Sequence, residues 1–294
     1  MGSKTIAEPA LTASPKPGHD RPHGHYARAP GIAMASWIRF EQAGMEGFGS
    51  LDPASGRIAI HAGDLFSNPA PTGQETRLDD VRLLAPVVPG KFIGLWNNFH
   101  ELAAKLGTSI PEEPLFFLKA ATSLLPSGGT IQAPAGYAGK IAYEGELGIV
   151  LERRAHSVSE AEAAEAIFGY TCVNDVTALD ILSADPCFPQ WARAKSCDSF
   201  GPCGPAIATG LDPSTLRVRT TLNGRVRQDY PAADMIIPPA RIVSLLSREM
   251  TLEPGDLIAC GTSVGVLPMR PGMVVEVTID GIGTLRNTVG GGPA

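Results

Sequence analysis

The sequence has few aromatic residues, no long apolar run and no excess of positive charge. Phe, Trp and Tyr together make up 6% of its 294 residues. No apolar run approaches the roughly 18 residues that a transmembrane helix needs, and no basic start leads into an apolar signal region. Lys and Arg number 24 against 30 Asp and Glu, which gives little support to nucleic-acid binding. We therefore expect a cytoplasmic protein whose partners are small polar molecules rather than membranes or nucleic acids.

Cysteine is also scarce, and its spacing argues against two common uses. The five cysteines, none of which belongs to a CxxC pair, are Cys172, Cys187, Cys197, Cys203 and Cys260. An odd number without paired spacing indicates neither a disulfide framework nor a thiolate zinc site. We expect reduced thiols.

Turn-forming residues are abundant by contrast. The chain holds 33 Gly and 26 Pro, whereas the two together average roughly 12% of a protein. This density favours many short strands joined by tight turns over long helices. The composition therefore predicts an α+β, β-rich fold with a few short helices.

The chain divides into three parts by composition. Residues 1–33 have no hydrophobic periodicity and are predicted to form a flexible arm. The arm carries His19, His23 and His25, which could bind a metal, but we exclude them from the site because low-periodicity tails are commonly unstructured. Residues 34–85 contain short strand-like pieces and predict a small β-rich N-terminal unit. Residues 86–294 contain every chemical motif and are predicted to form the catalytic domain.

Local signals place several elements in this longer part. A helical spacing follows Asn98 and stops at Gly107. Ser159 and Glu162 form the pattern of a capping box, which predicts a helix over SEAEAAEAIFGY. The pair Asn223-Gly224 predicts a tight hairpin. Regular alternation predicts one strand from Lys140 to Glu152, and YTCVND predicts a buried strand that ends at an acid.

Three acids in these two strands are the first sign of chemistry. In the strand from Lys140 to Glu152, period-two alternation places Glu144 and Glu146 on one face. Asp175 ends the following buried strand, where a cleft commonly opens. Three carboxylates with water or substrate suit Mg²⁺ or Mn²⁺ better than zinc. The two glutamates could instead form a solvated face or pair with Arg and Lys.

The ordered motifs resemble the fumarylacetoacetate hydrolase family over about Pro89 to Val289. These motifs are GLWNNFHELAAKLG, IPEEPLFFLKA, YEGELGIVL, GYTCVNDVTALD, FPQWARAKSCDSFGPCGP, LNGRVRQ, MTLEPGDLIACGT and GIGTLRNTV. The resemblance implies the mixed β-roll of that family, a homodimer, and a site that binds Mg²⁺ or Mn²⁺ through Glu144, Glu146 and Asp175. It also implies small 2-oxo and 2,4-dioxo acids as substrates.

Further site residues are implied by position in these motifs. Lys195 would stabilise negative charge on the substrate, and Gln190 would hold a water or a substrate oxygen. Thr262 would receive the substrate carboxylate and Arg193 a distal acid group, while Lys119 would supply positive charge near the site. Each also has a structural interpretation: hydration for Lys195, a loop hydrogen bond for Gln190, a turn around Thr262, an ion pair for Arg193 and local structure for Lys119.

The base is where the sequence departs from the family pattern. Hydrolytic members commonly place a His and a Glu three residues apart on a short helical lid. Here His100 matches the histidine, but Ala103 occupies the third position onward, and Glu101 is adjacent. Neighbouring helical residues point about 100° apart, so Glu101 supports His100 as the second catalytic residue only if the lid is irregular. His100 could instead act unassisted, use an acid such as Glu112 or Glu113, or only cap and pack the segment.

The leading hypothesis is a metal-dependent hydrolase that cleaves a carbon–carbon bond of an acylpyruvate through a metal-stabilised enolate. The first alternative is a decarboxylase or tautomerase of an oxaloacetate-like or aromatic-degradation 2-oxo acid, which needs no hydrolytic water. The LWNNFH variant resembles members with such activities. A 2-oxo-4-enoate hydratase, a non-catalytic metabolite-binding dimer and a purely structural β-roll protein are further alternatives.

Overall fold

The computed structural model describes residues 34–291. The predicted arm and its three histidines lie outside these residues. No helix in the described range is long and apolar enough to cross a bilayer.

The N-terminal strands form a meander of hairpins. Ala43 and Gly44, with φ of 52° and 79°, make the two-residue turn between the first two strands, and a turn of this kind requires positive φ at both positions. The strands of this part are β1 (Ser36–Gln42), β2 (Met45–Asp52), β3 (Arg57–Ala62), β4 (Ala70–Arg77) and β5 (Arg82–Leu83).

The longer part alternates short strands with the five α-helices of the described residues. Its first elements are β6 (Phe92–Trp96), α1 (His100–Leu106), β7 (Leu115–Lys119), β8 (Leu124–Leu125), β9 (Thr130–Ile131), β10 (Ile141–Ala142), β11 (Gly145–Leu151), α2 (Glu160–Ala166) and β12 (Ile167–Asn174). Its later elements are β13 (Thr177–Ala178), α3 (Leu179–Leu182), α4 (Trp191–Lys195), β14 (Gly201–Ala208), β15 (Arg217–Leu222), β16 (Arg225–Pro231), α5 (Pro239–Glu249), β17 (Leu257–Ala259), β18 (Pro268–Met269), β19 (Val274–Ile279) and β20 (Gly283–Val289).

The strands form three open sheets. The largest has twelve strands, with the order β4-β3-β2-β1-β14-β12-β11-β17-β6-β7 and with β5 and β8 paired to β1 and β14. The second has the order β13-β10-β18, and the third β16-β15-β19-β20-β9. Because β1 is hydrogen-bonded to β14, the N-terminal strands continue the sheet of the longer part. The predicted β-rich roll is confirmed.

The large sheet is strongly curled. In the strand order of this sheet, β7 is the fourth strand from β12. In a flat sheet the two strands would therefore be about 19 Å apart. Nevertheless Lys119 Nζ, at the end of β7, lies 2.7 Å from the carboxylate of Asp175, directly after β12. The two side chains cannot bridge the flat distance, so the sheet folds back on itself and brings its edge strand to the end of β12.

Two predicted boundaries are wrong. The single strand expected from Lys140 to Glu152 is divided, since β10 belongs to the three-stranded sheet and β11 to the twelve-stranded one. Between them the backbone N–H of Glu144 donates to the Asn174 side chain at 3.0 Å, a bond outside any strand ladder. The helix expected through IFGY ends at Ala166, because the residues from Ile167 onward pair with β11 instead.

Other local predictions are confirmed. Helix α1 ends at Gly107, whose φ of 67° is left-handed and suits a glycine C-cap. Ser159 and Glu162 make both bonds of the capping box. Asn223 and Gly224, with φ of 50° and 72°, join β15 to β16.

The main hydrophobic core lies between the curled sheet and α5. It includes Ile242 and Leu246 of α5 and Leu147 and Ile149 of β11, all nearly inaccessible to solvent. This packing fixes the strand that carries Glu146, so the site rests on a rigid part of the molecule.

Candidate metal centre and cleft

Three carboxylates converge where β11 begins and β12 ends. One oxygen atom from each of Glu144, Glu146 and Asp175 lies within 4.8 Å of the others. Glu146 and Asp175 are fully buried, whereas 17% of the Glu144 side chain is exposed. The structure therefore brings together the three acids that alternation and the family resemblance select.

The strand register explains this convergence. Gly145 pairs with Asn174 across the antiparallel ladder, which places Glu144 next to Asp175, and the Asp175 N–H donates to the Glu144 carbonyl at 2.8 Å. Gly145 is required between the glutamates, because a Cβ there would lie 2.0 Å from Thr220 Oγ1. The EGE motif thus reflects a close approach as well as alternation.

Two lysines lie among the acids. Lys195, on α4, places its Nζ 2.9 Å from Glu144 Oε1 and 2.6 Å from Asp175 Oδ2. Lys119 donates to Asp175 Oδ1 at 2.7 Å and to the backbone carbonyl of Lys195. Both lysine side chains are buried, so the five groups form one enclosed ionic cluster.

The formal charges of this cluster do not balance. Three carboxylates face two ammonium groups, which leaves one negative charge inside the protein. Burial, together with the neighbouring charges of Asp175 and Glu144, raises the pKa of Glu146 well above its ordinary value. Glu146 is therefore the carboxyl group of the cluster that most readily takes up a proton in the absence of a cation.

Asp175 and the two lysines respond to the same neighbouring charges. Burial favours a neutral Asp175, but the ammonium groups of Lys119 and Lys195 hold its pKa below the ordinary value. Burial lowers the pKa of Lys119 despite the attraction of Asp175. For Lys195 burial acts in the same direction, but Asp175 and then the two glutamates outweigh it and raise its pKa. Lys195 is thus the firmly charged cation of the cluster.

Glu146 tests whether a divalent cation fits. Its Oε2 accepts from the Gly261 N–H at 2.7 Å, but its buried Oε1 has no hydrogen-bond partner among the described residues. A buried carboxylate oxygen without a partner is costly. A cation with oxygen preference would satisfy it and would turn the excess negative charge into one positive charge. The residues fit a Mg²⁺ or Mn²⁺ ion held by Glu144, Glu146 and Asp175.

Surrounding residues hold the carboxylates in place. The Thr177 hydroxyl donates to Glu144 Oε1 at 2.7 Å. Gly261 has a φ of 90°, a backbone conformation that suits glycine, and it directs its N–H at Glu146. These contacts fix the orientation of both glutamates before any ligand binds.

A cleft of about 180 Å³ opens beside the cluster. Its polar wall includes Glu144, Thr177 and Thr262, and its other residues are Leu95, Trp96, Asn97, Leu102, Leu179, Leu182, Trp191 and Val266. A larger groove of about 310 Å³ lies against the N-terminal strands but contains none of the predicted site residues. The smaller cleft is the candidate substrate site because it alone of the two reaches the acids.

His100 is exposed at the first position of α1. Within residues 34–291 no carboxylate lies within ion-pair distance of its imidazole, and Ala103 is buried. Glu101 is also exposed, and its backbone N–H donates to Asp234 Oδ2 at 3.0 Å. The structure does not join His100 and Glu101 to the acid cluster, so their catalytic roles stay predictions.

The remaining predicted residues lie in three different environments. The Thr262 hydroxyl donates to the Gly145 carbonyl at 3.0 Å and accepts from Gln228, so it already has two protein partners in the cleft wall. Gln190 donates to the Phe188 carbonyl at 2.9 Å. Arg193 is exposed on α4 and does not line the cleft. Their proposed contacts with substrate stay predictions.

Gln228 is a site residue that the sequence analysis did not identify. Its side chain accepts from the Gly145 N–H at 3.1 Å and donates to Thr262 Oγ1 at 2.8 Å and to the Ser263 carbonyl at 3.2 Å. It thereby joins β11 to the loop after β17. Alternation along β16 places Gln228 on the same buried face as Tyr230. A glutamine on a buried strand face is the feature of the sequence that could have identified this residue.

Asn97 and Asn98 of the LWNNFH motif have structural roles that the sequence does not predict. Asn97 has a φ of 58°, which asparagine tolerates better than most residues, and its side chain bonds to Thr108 and Ser109 beyond α1. Asn98 donates to the Ile237 and Cys260 carbonyls. The two asparagines anchor α1 at the mouth of the cleft.

Two families match this chain in sequence. Residues 91–290 match the fumarylacetoacetate (FAA) hydrolase C-terminal family. Residues 36–86 match the family described as Rv2993c-like, N-terminal.

Individual relatives match most of the chain. Oxaloacetate tautomerase YisK of Bacillus subtilis is 36% identical over 227 residues, which are 72% of this chain and 74% of that protein. The crystal structure of 2-hydroxyhepta-2,4-diene-1,7-dioate isomerase from Mycobacterium marinum is 38% identical, has a TM-score of 0.80 and matches over 88% of this chain and 99% of its own. Maleylpyruvate hydrolase from Sphingobium sp. SYK-6, solved with manganese (II) ion and pyruvate, is 25% identical, with a TM-score of 0.72, over 88% of this chain and all of its own.

Proposed function

The chain belongs to the fumarylacetoacetate hydrolase family, and from this premise we propose that it is a divalent-metal-dependent enzyme that enolises small 2-oxo acids. Relatives named as an oxaloacetate tautomerase and as an isomerase support a reaction of this class. The leading candidate is keto–enol tautomerisation, with decarboxylation as a variant of the same chemistry.

The buried cluster is the observation that carries this proposal. Glu144, Glu146 and Asp175 would hold Mg²⁺ or Mn²⁺, which supplies Lewis-acid charge that makes a proton next to the C2 carbonyl easier to remove. With a divalent ion the cluster has one net positive charge, since two lysines and three acids are already present. One carboxylate of a 2-oxo acid would balance it.

Lys195 is the chain's own candidate hydrogen-bond donor to the substrate oxygen. Its ammonium group is buried and firmly charged, and it lies against Glu144, which forms part of the cleft wall. A donor in this position stabilises negative charge that develops on the substrate oxygen. In tautomerisation one proton leaves C3 and one is added at the C2 oxygen, so no water is consumed and no carbon–carbon bond breaks.

The environment of His100 ranks tautomerisation above hydrolysis. Hydrolysis of an acylpyruvate consumes a water and needs a base that activates it. His100 is exposed and has no carboxylate partner within the described range. Tautomerisation makes a smaller demand, because no water has to be activated.

Carbon–carbon hydrolysis of an acylpyruvate is the second candidate. It is favoured by the position of α1, which begins with His100 and contributes Leu102 to the cleft wall. In that reaction water adds to the C4 carbonyl, the C3–C4 bond breaks, and a carboxylic acid and pyruvate leave. His100 would be the base, with Glu101 as its candidate partner, and Gln190 would hold the water.

An assay of two substrates distinguishes these candidates. Protein loaded with Mn²⁺ or Mg²⁺ is mixed with the enol form of oxaloacetate, whose ultraviolet absorbance falls on ketonisation, and with acetylpyruvate, whose hydrolysis is measured as pyruvate. We expect accelerated loss of enol, abolished by Glu144→Ala but retained in His100→Ala. Release of pyruvate from acetylpyruvate, lost in both variants, would instead establish hydrolysis.

Matched controls exclude general effects of mutation. Glu165 and His156 are exposed and lie outside the cleft, so Glu165→Ala and His156→Ala should leave both rates unchanged. Calorimetry of Mn²⁺ binding provides a readout that does not depend on the choice of substrate. An unchanged Mn²⁺ affinity in Glu144→Ala, together with no turnover of either acid, would refute the proposal.

The cytoplasmic location and the homodimer stay predictions, which rest on the sequence and on the family resemblance respectively.

A further inference from the structure

We propose that Asn98 is a positioning residue of the metal centre, and that it orients Glu146 through the one peptide group that joins Cys260 to Gly261. The inference rests on the proposed function, because it takes Glu146 as a ligand of the divalent ion. It adds that the ion and the start of α1 stabilise each other, although Asn98 does not line the cleft.

This peptide group is hydrogen-bonded on both of its sides. Its N–H donates to Glu146 Oε2 at 2.7 Å, and its carbonyl accepts from Asn98 Nδ2 at 2.9 Å. The peptide is trans, so its N–H and C=O groups point in opposite directions within one plane. Since Glu146 Oε1 has no partner within residues 34–291, the N–H that Asn98 helps to aim is what orients the carboxylate.

Gly261 makes this restraint necessary. Its φ of 90° lies in a region that glycine enters freely, so local sterics alone do not fix the peptide plane. A Cβ at Gly261 would lie 3.2 Å from Asn98 Cβ and 3.3 Å from the Leu95 carbonyl oxygen. The missing side chain lets Asn98 approach the peptide closely, and the hydrogen bond from Asn98 then supplies the orientation.

The carboxamide of Asn98 is itself held in one orientation. Its Oδ1 accepts from the Ile237 N–H at 2.9 Å, and its Nδ2 also donates to the Ile237 carbonyl at 3.2 Å. The backbone carbonyl of Asn98 accepts from the Ile236 N–H at 2.9 Å. Asn98 is 2% exposed, so water does not compete for these bonds. The donor to the Cys260 carbonyl is therefore fixed in place.

The same region sets where α1 begins. Phe99, the residue after Asn98, precedes the first residue of α1 and is fully buried. Its ring lies 4.9 Å from that of Tyr230, at an angle of 77°. The Tyr230 hydroxyl donates to the carbonyl of Gly145, the residue between the two metal-site glutamates. Two buried routes thus connect the start of α1 to the strand that carries the metal ligands.

Thermodynamic linkage makes the inference quantitative. If the Asn98 contact raises the affinity for the ion by a given factor, the ion stabilises that contact by the same factor. Partners of metal ligands commonly change metal affinity by about 10- to 100-fold, and because Asn98 acts through one further group we expect about 3- to 10-fold. Local opening of the start of α1 should become rarer by this factor when the ion binds.

Calorimetry of Mn²⁺ binding compares the parent with two variants. Asn98→Ala removes the donor to the Cys260 carbonyl and should weaken Mn²⁺ binding about 3- to 10-fold. The Thr108 hydroxyl bonds to Asn97 from beyond the other end of α1. Thr108→Val therefore loosens the helix without touching the peptide group, and it should bind Mn²⁺ as the parent does. Denaturant titration of both variants separates a loss of stability from a loss of affinity.

Hydrogen exchange of the parent provides a second test, which serves also if Asn98→Ala does not fold. Mn²⁺ at saturation should slow exchange of residues 99–104 by about the same 3- to 10-fold, because local opening there breaks the Asn98 contact. Exchange in α2, which contributes no residue to the cleft, is the internal reference for local openings that Mn²⁺ does not affect. The slowing in α1 should persist in Thr108→Val and be lost in Asn98→Ala.

The outcomes separate this inference from the proposed function. A parent-like Mn²⁺ affinity in folded Asn98→Ala, or exchange of residues 99–104 in the parent that Mn²⁺ does not change, would overturn the role of Asn98 and leave the metal centre in place. An equal loss of affinity in Thr108→Val would overturn it as well, because any loosening of α1 would then suffice. Failure of the parent to bind Mn²⁺ would overturn the proposed function and this inference with it.

Discussion

Glu146 has the least favourable environment of the three acids in the absence of a cation. It is fully buried, one of its oxygens has no hydrogen-bond partner in the described range, and its pKa is raised by burial and by the adjacent acids. The neighbouring Asp175 has two ammonium groups instead. Residues at such sites often lower stability in return for ligand binding.

We expect Glu146→Gln to change stability in opposite directions with and without metal. In EDTA the free energy of unfolding of the variant should be about 1–3 kcal/mol higher than that of the parent, because glutamine avoids the cost of either burying a carboxylate charge or protonating the carboxylate at this site. With excess Mn²⁺ the parent should become the more stable protein, since binding to the native state raises its stability. Denaturant titrations in EDTA and in excess Mn²⁺ measure this reversal in the relative stability of the two proteins.

The control is Glu165→Gln, a change at an exposed acid. It should leave the free energy of unfolding unaltered both in EDTA and in excess Mn²⁺. Mn²⁺ affinity measured by calorimetry should fall more than about tenfold in Glu146→Gln. A parent-like Mn²⁺ affinity in this variant would show that Glu146 does not hold the ion.

At the scale of elements, the site depends on how the loop after β17 is held against β11. Gln228 reaches from β16 and bonds to both, through the Gly145 N–H, the Thr262 hydroxyl and the Ser263 carbonyl. The same loop supplies the Gly261 N–H to Glu146. One buried amide therefore positions a metal-site glutamate and the polar end of the cleft together.

We expect Gln228→Leu to destabilise the protein by about 2–4 kcal/mol, because several buried groups lose their partner. Hydrogen exchange of residues 261–265 should accelerate more than exchange in α5. Addition of Mn²⁺ should recover only part of the stability. Denaturant titration and exchange monitored by mass spectrometry provide both measurements.

Gln74→Leu is the comparison for that experiment, since Gln74 is exposed on β4 and its loss should change neither quantity. If Gln228→Leu altered global stability but left exchange of the loop unchanged relative to α5, the loop would be held by other contacts.

At the scale of the whole molecule, the N-terminal strands and the site share one sheet. Beyond the β1–β14 pairing, the Trp37 ring lies 6.3 Å from that of Phe168 on β12. Trp37 also packs against a core that includes Val150 of β11 and Leu257 of β17. Such continuous packing predicts that the described residues unfold as one unit.

Tryptophan fluorescence can test this cooperativity, because the chain has three tryptophans in suitable places. In Trp96→Phe/Trp191→Phe only Trp37 reports, whereas in Trp37→Phe the two tryptophans beside the cleft report. In each variant the urea transition followed by fluorescence should coincide with the transition followed by far-ultraviolet circular dichroism. Mn²⁺ should move the midpoints of both transitions to higher urea concentration. A Trp37 transition that precedes the loss of secondary structure and ignores Mn²⁺ would show that the N-terminal strands unfold separately.

The local features and the three acids of the site can be read from the sequence alone. Capping at Ser159, the left-handed stop at Gly107 and the Asn223-Gly224 turn depend on neighbouring residues only, and period-two alternation placed Glu144 beside Glu146. The end of the buried strand YTCVND added Asp175 and the family motif added Lys195, and the structure places both beside the two glutamates. Short-range geometry and ordered motifs are encoded directly in the chain.

Which distant residues meet in the folded protein depends instead on long-range packing. The curl of the large sheet brings Lys119 to Asp175, and the helices α1, α3 and α4 each contribute hydrophobic side chains to the wall of one cleft. The structure also placed Gln228 between two elements and left His100 exposed. Such contacts depend on how sheets curl and helices pack over many residues, so the local hydrophobic periodicity of the sequence does not predict them.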